Sequence, residues 1–277
     1  MARSKPVPEE LMAAAAQEDK VEVMPLLERL HVQSVYDSVA HEWHGTRYKA
    51  WPRVVEFVNT LPRHSLVADV GCGNGKLAPA FRSNGHFGIG SDFSTELVRI
   101  SAVDMQMEAQ VADALMLPYR SDAFDAVTCI AVLHHITTQV RRQRLIAEAL
   151  RVLRPGGQAL FYAWAMDQTQ GGRSGHLFES QDVFVPFHKR QTHAGDGPHS
   201  AQNHGDAAAT AATSTNSIAS AEHGCYDPAK KAHVFQRYCH VYRQGELTDL
   251  AASVDGTRIL EEYYDAGNWC ILAQKVE

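Results

Sequence analysis

The chain has 277 residues, 45% hydrophobic and 21% charged, enough for one globular domain with a sizeable core and extensions and too little for two full domains. A formal net charge of −6 argues against binding a polyanion through bulk charge, so a nucleic-acid enzyme of this composition must gather its basic residues on one face or borrow them from a partner. The five cysteines (Cys72, Cys129, Cys225, Cys239 and Cys270) are odd in number and form no CxxC pair, which points to free thiols rather than a disulfide framework or zinc ribbon, and no metal site is expected. No apolar run is long enough to span a membrane, and acids at Glu9, Glu10, Glu18 and Asp19 do not suit a leader peptide, so the expectation is a cytoplasmic or nuclear protein.

Residues 1–25 read as a flexible, partly helical extension. From Leu26, the apolar positions Leu27, Leu30, Val32, Val35, Tyr36 and Val39 predict an amphipathic helix over the mouth of a domain that runs from 26 to 277. Trp51-Pro52 opens a second helix, since proline is tolerated in the first turn, with Val54, Val55, Phe57, Val58 and Leu61 on its apolar face. Just before it, Arg47, Tyr48 and Lys49 place two positive charges beside an aromatic ring. That loop suits either solvent or an anion and nucleobase contact.

The stretch VADVGCGNGK (67–76) joins a buried strand to a loop with glycines at 71, 73 and 75, where backbone can approach a ligand closely. A dinucleotide fingerprint needs G-x-G-x-x-G, but here Lys76 stands where the third glycine would be. Asp69 just before the loop would repel a pyrophosphate and accept hydrogen bonds from an ammonium group. The ligand should therefore carry a cationic end. A second strand ends at Asp92, 19 positions after Gly73, where a carboxylate can take two ribose hydroxyls; it can also cap the helix from Ser94. Met105 and Met107 flank an expected edge strand, either as core filling or as an adaptable protein surface.

A short third strand ends in Val111-Ala112-Asp113-Ala114. A buried fourth strand, Ala126 to Val132, includes Ile130 and delivers Leu133, His134 and His135 at its carboxyl end, where open parallel sheets bind ligands. An amphipathic helix follows and stops at Arg154-Pro155-Gly156-Gly157, feeding the apolar strand QALFYAWAM. Residues 191–224 are alanine, serine, threonine, glycine and histidine with scarcely a large apolar side chain, which predicts a disordered insertion. AKKAHVFQRYCHVYRQGEL (229–247) interleaves Lys230, Lys231, Arg237 and Arg243 with Phe235, Tyr238 and Tyr242. It reads either as a basic and aromatic RNA-binding strip or as an ordinary exposed strand. RILEEYYDAGNWCILAQK forms a hairpin turning at Asp265 to Asn268.

D-x-G-x-G-x-G after a strand, with the RPGG turn and closing hairpin, resembles the class I S-adenosylmethionine methyltransferases. That resemblance implies a Rossmann-like, seven-stranded, mostly parallel α/β sheet with an antiparallel C-terminal hairpin. It implies a cofactor set of Asp69, Gly71, Cys72, Gly73, Asp92, Asp113, Ala114 and Ile130, with Asp69 on the methionine moiety and Asp113 on the adenine amino group. TRYKAWP, YAWAM, RYCHVYRQGEL and YYDAGNWCILAQK narrow the likeness to the eukaryotic tRNA wobble-uridine methyltransferases, which esterify a carboxymethyl group at uridine 34. This implies a tRNA anticodon loop as substrate and a small zinc-binding activator subunit at the sheet edge near Met105 and Met107. His134 and Arg47 then stand as catalytic candidates, and Tyr48, Lys49, Trp164, Arg237, His240, Arg243, Asn268 and Trp269 as substrate contacts. Two other readings share the cofactor motifs: a small-molecule methyltransferase and a noncatalytic cofactor-binding scaffold.

Overall fold

The structure is a computed structural model that describes residues 4–18, 23–46, 50–170, 176–190 and 224–276. Arg47, Tyr48 and Lys49, and residues 191–223 of the expected insertion, lie outside the described residues. Strand β1 (Lys5–Pro6) and helix α1 (Glu9–Gln17) come first, followed by a helical arm of α2 (Leu26–Glu28), a π-helical segment (Arg29–Gln33) and α3 (Ser34–Thr46). Helix α4 (Pro52–Thr60) starts at the expected proline, behind an extended Trp51.

Then come β2 (Leu66–Val70), α5 (Ala78–Ser83), β3 (Phe87–Asp92), α6 (Thr95–Val103), β4 (Glu108–Val111), β5 (Phe124–Ile130), a 3-10 turn (Leu133–His135), α7 (Gln139–Val152) and β6 (Leu153–Trp164). The chain continues through β7 (Asp182–Arg190), β8 (Cys225–Asp227), β9 (Ala232–His240), α8 (Glu246–Ala252), β10 (Thr257–Asp265) and β11 (Asn268–Lys275).

Seven strands form one sheet in the order β10-β11-β6-β5-β2-β3-β4; β2 to β6 run parallel, and β11 is antiparallel to both β6 and β10. Successive side chains of a strand face opposite sides. Accordingly Ala159, Phe161 and Ala163 of β6 pack under α7 and α8, while Leu160 and Tyr162 pack with α4 and α5. The class I methyltransferase sheet read from the sequence is the one observed, including the hairpin turn, where Asp265 faces Asn268. All five cysteines are free.

A second, four-stranded antiparallel sheet, β1-β7-β9-β8, had no counterpart in the sequence reading. Part of the segment read as a loose extension is built into it: Lys5 and Pro6 pair with β7, and Val7 and Ala15 are buried against Leu27, Val32 and Tyr238. The basic and aromatic strip read at 229–247 is corrected by the same sheet. Val35 and Val39 of the arm pack on Phe235, and Phe178 and Val183 pack on Cys239, so Phe235, Arg237, Tyr238 and His240 of its central strand β9 are interior; the exposed charges of the strip are Lys230 and Lys231 before β9 and Arg243 after it.

A buried ion pair locks the arm to α7. Glu28 and Arg141 meet through two bonds, Nε to Oε1 at 3.0 Å and Nη2 to Oε2 at 2.8 Å, and Thr137 donates twice more to Oε1. With Arg141 wholly buried and Glu28 3% exposed, neither charge can fall back on water.

Candidate active site

The carboxyl ends of β2, β3 and β5 open into a cleft of two adjoining chambers that share Gly71, Cys72, Lys76 and Ile130. The larger is also lined by Gly73, Asp92, Asp113 and Ala114, the smaller by Asp69, so the cleft gathers all eight residues read as cofactor contacts. Residues that the motifs did not single out close it from the arm side: Glu28, Val32, Tyr36 and Trp43. Their signal was the apolar period of the arm, which placed a helix over the mouth without saying which side chains reach in.

Two glycines make the cradle. A Cβ on Gly71 would meet Val132 Cγ2 at 2.2 Å, and Gly73 holds φ +54, a conformation L side chains rarely adopt. Ala131, directly after β5, also holds a left-handed φ of 64, and its amide is bonded to the Tyr162 carbonyl. Such backbone strain is characteristic of a site wall.

The acids are positioned by the loop itself. Asp69 is buried at the end of β2; Thr128 Oγ1 donates to its Oδ1 at 2.8 Å, yet burial pushes its pKa up to about 7. Asp92 accepts from the Gly73 amide at 2.9 Å and the Ser94 amide at 3.0 Å, and burial again dominates, raising it to about 6. The helix cap expected of Asp92 belongs to Ser94, whose hydroxyl accepts from the Leu97 amide. Asp113 is half-buried and accepts from the Leu115 amide at 2.8 Å. The cleft therefore offers three carboxylate acceptors, Asp69, Asp92 and Asp113, around a glycine cradle, a set that fits a ligand with an ammonium, a ribose and an adenine amino group.

A packed aromatic cluster adjoins the cleft through Trp43 and His135. His134 stacks on Trp164 with ring centroids 4.8 Å apart and meets the His135 ring at a tilt, 4.3 Å away. The Trp164 amide donates to His134 Nδ1 at 3.4 Å, which leaves the ring proton on Nε2, and burial holds the imidazole neutral, its pKa well below the usual value. His134 is therefore a neutral donor rather than a base. Arg237 sits among three rings, with Cζ 5.3 Å from Trp43, 5.6 Å from Phe187 and 5.7 Å from Trp164. The residue is 5% exposed, and its Nε and Nη1 have no hydrogen-bond partner among the described residues.

Other expected substrate contacts are placed differently. Both nitrogens of His240 are taken, by Asp182 at 3.0 Å and Glu246 at 2.9 Å, because its imidazole ties β9 to β7 and α8. The Asn268 amide donates to the Asp265 and Ala266 carbonyls, holding a hairpin turn that needs left-handed Ala266 and Gly267. Trp269 packs edge-on against Tyr264 at 5.4 Å and joins the core under α7 and α8. Arg243 is exposed, on a groove it shares with Arg142, Gln181 and Glu246. His240, Asn268 and Trp269 are thus engaged in holding the fold, while the Asn268 side-chain oxygen has no hydrogen-bond partner among the described residues.

His134, His135 and Cys239 bring metal-ligand atoms within 4.8 Å of one another. Both nitrogens of His135 are nevertheless engaged, Nε2 by the Tyr36 hydroxyl at 2.7 Å and Nδ1 by the Tyr238 carbonyl at 2.8 Å. The Cys239 thiol is pushed up to about 12 by burial, so the cluster offers no thiolate.

Comparison with known proteins agrees with this geometry. A family model described as a methyltransferase domain matches residues 68–161. A tRNA (carboxymethyluridine(34)-5-O)-methyltransferase of Schizosaccharomyces pombe is 36% identical over 250 residues, covering 90% of this chain and 97% of the relative. The mouse protein of the same name, ALKBH8, is 34% identical over 90% of this chain, which spans only 44% of the mouse protein's length. Among solved structures, a complex between the Haloferax volcanii Trm112 methyltransferase activator and a methyltransferase superposes with a TM-score of 0.53 at 11% identity, over 89% of this chain and 99% of that one, a likeness of fold. S-adenosylmethionine is the cofactor of this methyltransferase domain. With a relative more than one-third identical along nearly its whole length, the chain belongs to the tRNA (carboxymethyluridine(34)-5-O)-methyltransferase family.

Proposed function

We propose that this chain methylates the side-chain carboxylate of 5-carboxymethyluridine at tRNA wobble position 34, forming the methyl ester. The observation that carries the reading is Arg237. A buried guanidinium with two unpartnered nitrogens is costly to keep, and an incoming carboxylate repairs it with paired, charge-assisted hydrogen bonds. A neutral or cationic acceptor would leave it unpaired. The bound cofactor supplies an electrophilic methyl group on a sulfonium.

The carboxylate is already ionised at neutral pH, so the site needs no general base, in keeping with a neutral His134 that donates from Nε2. Arg237 orients one oxygen, and Trp43, Trp164 and Phe187 exclude water from an anion that must meet a cation in line. That oxygen forms the new bond to the methyl carbon as the carbon–sulfur bond breaks with its electron pair going to sulfur. No proton moves.

A small activator subunit is proposed to cover the edge strand β4. Val103, Val111 and Met116 are exposed near this edge, with Glu108 to Val111 unpaired on one side, an apolar surface suited to a partner. Met105 and Met107 are not its centre: Met107 is buried against Cys72, and Met105 is half-buried. No helix of the described residues is long and apolar enough to cross a membrane, and a tRNA acceptor puts the reaction in the cytoplasm or nucleus.

Methyl transfer from labelled S-adenosylmethionine to tRNA carrying carboxymethyluridine at position 34, with and without a Trm112-type activator, tests the reading. Product at uridine 34 that depends on the carboxymethyl group supports it. Transfer to tRNA lacking that group, or none in either condition despite cofactor binding, sinks it.

A further inference from the structure

We propose that the groove between the start of α7 and the turn from β9 into α8, floored by Arg142 and rimmed by Arg243, holds one backbone phosphodiester of the RNA acceptor. The inference rests on the tRNA reading and adds a second point of attachment, away from the methyl-transfer site. Arg142 is 8% exposed, so its guanidinium is largely out of water. Its Nη1 donates to the Ile136 and Thr137 carbonyls, each at 3.1 Å, which leaves the Nε hydrogen without a partner among the described residues. A buried guanidinium donor in this state is costly, and an oxyanion is the ligand that removes the cost.

Donors surround the opening. Gln139, Arg243 and Gln244 rim it, all three exposed. Two acids share the groove, and neither cancels this. Glu246 is already engaged: Oε1 meets His240 Nε2 at 2.9 Å, and Oε2 accepts from Gln181 Nε2 at 2.7 Å and from the Arg243 amide at 2.9 Å. Asp249 stands exposed on α8, where water and salt screen it. Two guanidinium groups therefore face one free carboxylate. The bond from the Arg243 amide to Glu246 also fixes the turn that carries the Arg243 side chain, so this rim is ordered before RNA arrives.

The groove is placed for the same RNA that enters at Arg237. Arg237 and Arg243 are six residues apart on β9 and its continuation, a span of at most about 20 Å. Arg142 is held by the carbonyl of Ile136, whose residue lines the cofactor cleft, so cleft and groove share one wall segment. A nucleoside held at Arg237 therefore has a phosphate of its own strand within reach of the groove. A chain of net charge −6 attracts a polyanion only where basic groups gather, and this groove gathers two.

The discriminating experiment is binding of an anticodon stem-loop with carboxymethyluridine at position 34 to wild type, Arg243→Gln and Arg243→Lys over a range of salt. Arg243→Gln should lose about 5- to 10-fold in affinity and flatten the slope of log affinity against log salt by about 0.7 to 1, while Arg243→Lys keeps the slope. Affinity for S-adenosylhomocysteine should stay within about twofold in both variants. A second scan neutralises the stem-loop phosphates one at a time as methylphosphonates. One linkage should weaken wild type by a similar factor and have no effect in Arg243→Gln, which pairs that phosphate with the groove. An unchanged salt slope in Arg243→Gln, or no linkage whose effect disappears in that variant, overturns the proposal. The readout is binding, so wild type that holds the stem-loop and transfers no methyl group sinks the proposed reaction and leaves the groove standing. Wild type that does not bind the stem-loop brings down both.

Discussion

The cofactor cleft and the aromatic cluster beside it are built on opposite principles. In the cleft, the acids already have partners: Asp92 holds two loop amides and Asp69 a threonine hydroxyl, so the cradle is rigid before any ligand arrives. In the cluster, Arg237 is caged by rings, with two nitrogens unpaired among the described residues. A site that must accept a common cofactor can be finished in advance. A site that must choose one anion gains selectivity by leaving a charge for that anion to satisfy.

Removing the charge should have the largest effect. Arg237→Met is expected to lower transfer to carboxymethyluridine tRNA by about a thousandfold while S-adenosylhomocysteine affinity stays within about twofold, because the proposed role of the cation is on the acceptor alone. Steady-state transfer and calorimetry on one preparation check both halves. If the cofactor affinity falls in parallel, the division between the two regions breaks.

The arm that walls both regions comes next. Glu28→Ala strands the wholly buried Arg141 and should destabilise the fold by about 3–5 kcal/mol, read from the denaturation midpoint. Glu28→Gln keeps one acceptor and should cost less.

Protonation sharpens the comparison further. An ammonium ligand needs Asp69 ionised, and with its pKa near 7 the affinity for S-adenosylhomocysteine should fall about tenfold from pH 8 to pH 6 and flatten in Asp69→Asn. The sign reverses for the empty protein. A carboxyl whose folded pKa is raised binds extra protons when folded, so its contribution to stability is fully present below about pH 4 and is lost as pH rises through about 7. Thermal melts of apoprotein against pH check that slope.

The smallest effect belongs to the outer edge. Val111→Lys on β4 should leave cofactor affinity unchanged and weaken association with an activator by about tenfold, measured as co-elution or by titration calorimetry.

The same contrast decided what the sequence could reveal. Local signals named the cleft: VADVGCGNGK, Asp92 and Asp113 each sit at a strand end, and open parallel sheets place ligands there. The aromatic cluster depends on contacts between distant segments. Trp43 of the arm, Phe187 of β7 and Trp164 of β6 meet around Arg237 of β9, and no local period announces such a meeting. For the same reason a buried β9 read as a possible surface strip: its charges and rings alternate as an exposed strand would, and only the four-stranded sheet supplies the covers. His240 and Asn268 had chemistry suited to a substrate, but their partners Asp182, Glu246 and the hairpin carbonyls already occupy them.

The arm from 23 to 46 has one consequence for how such enzymes diverge. Trp43 faces the cofactor cleft and also stands 5.3 Å from Arg237, so a single helix is common property of the cleft and of the proposed acceptor contact. Exchanging this arm for a relative's would move methyl-donor affinity and nucleoside preference together, and neither trait can be inherited from it alone.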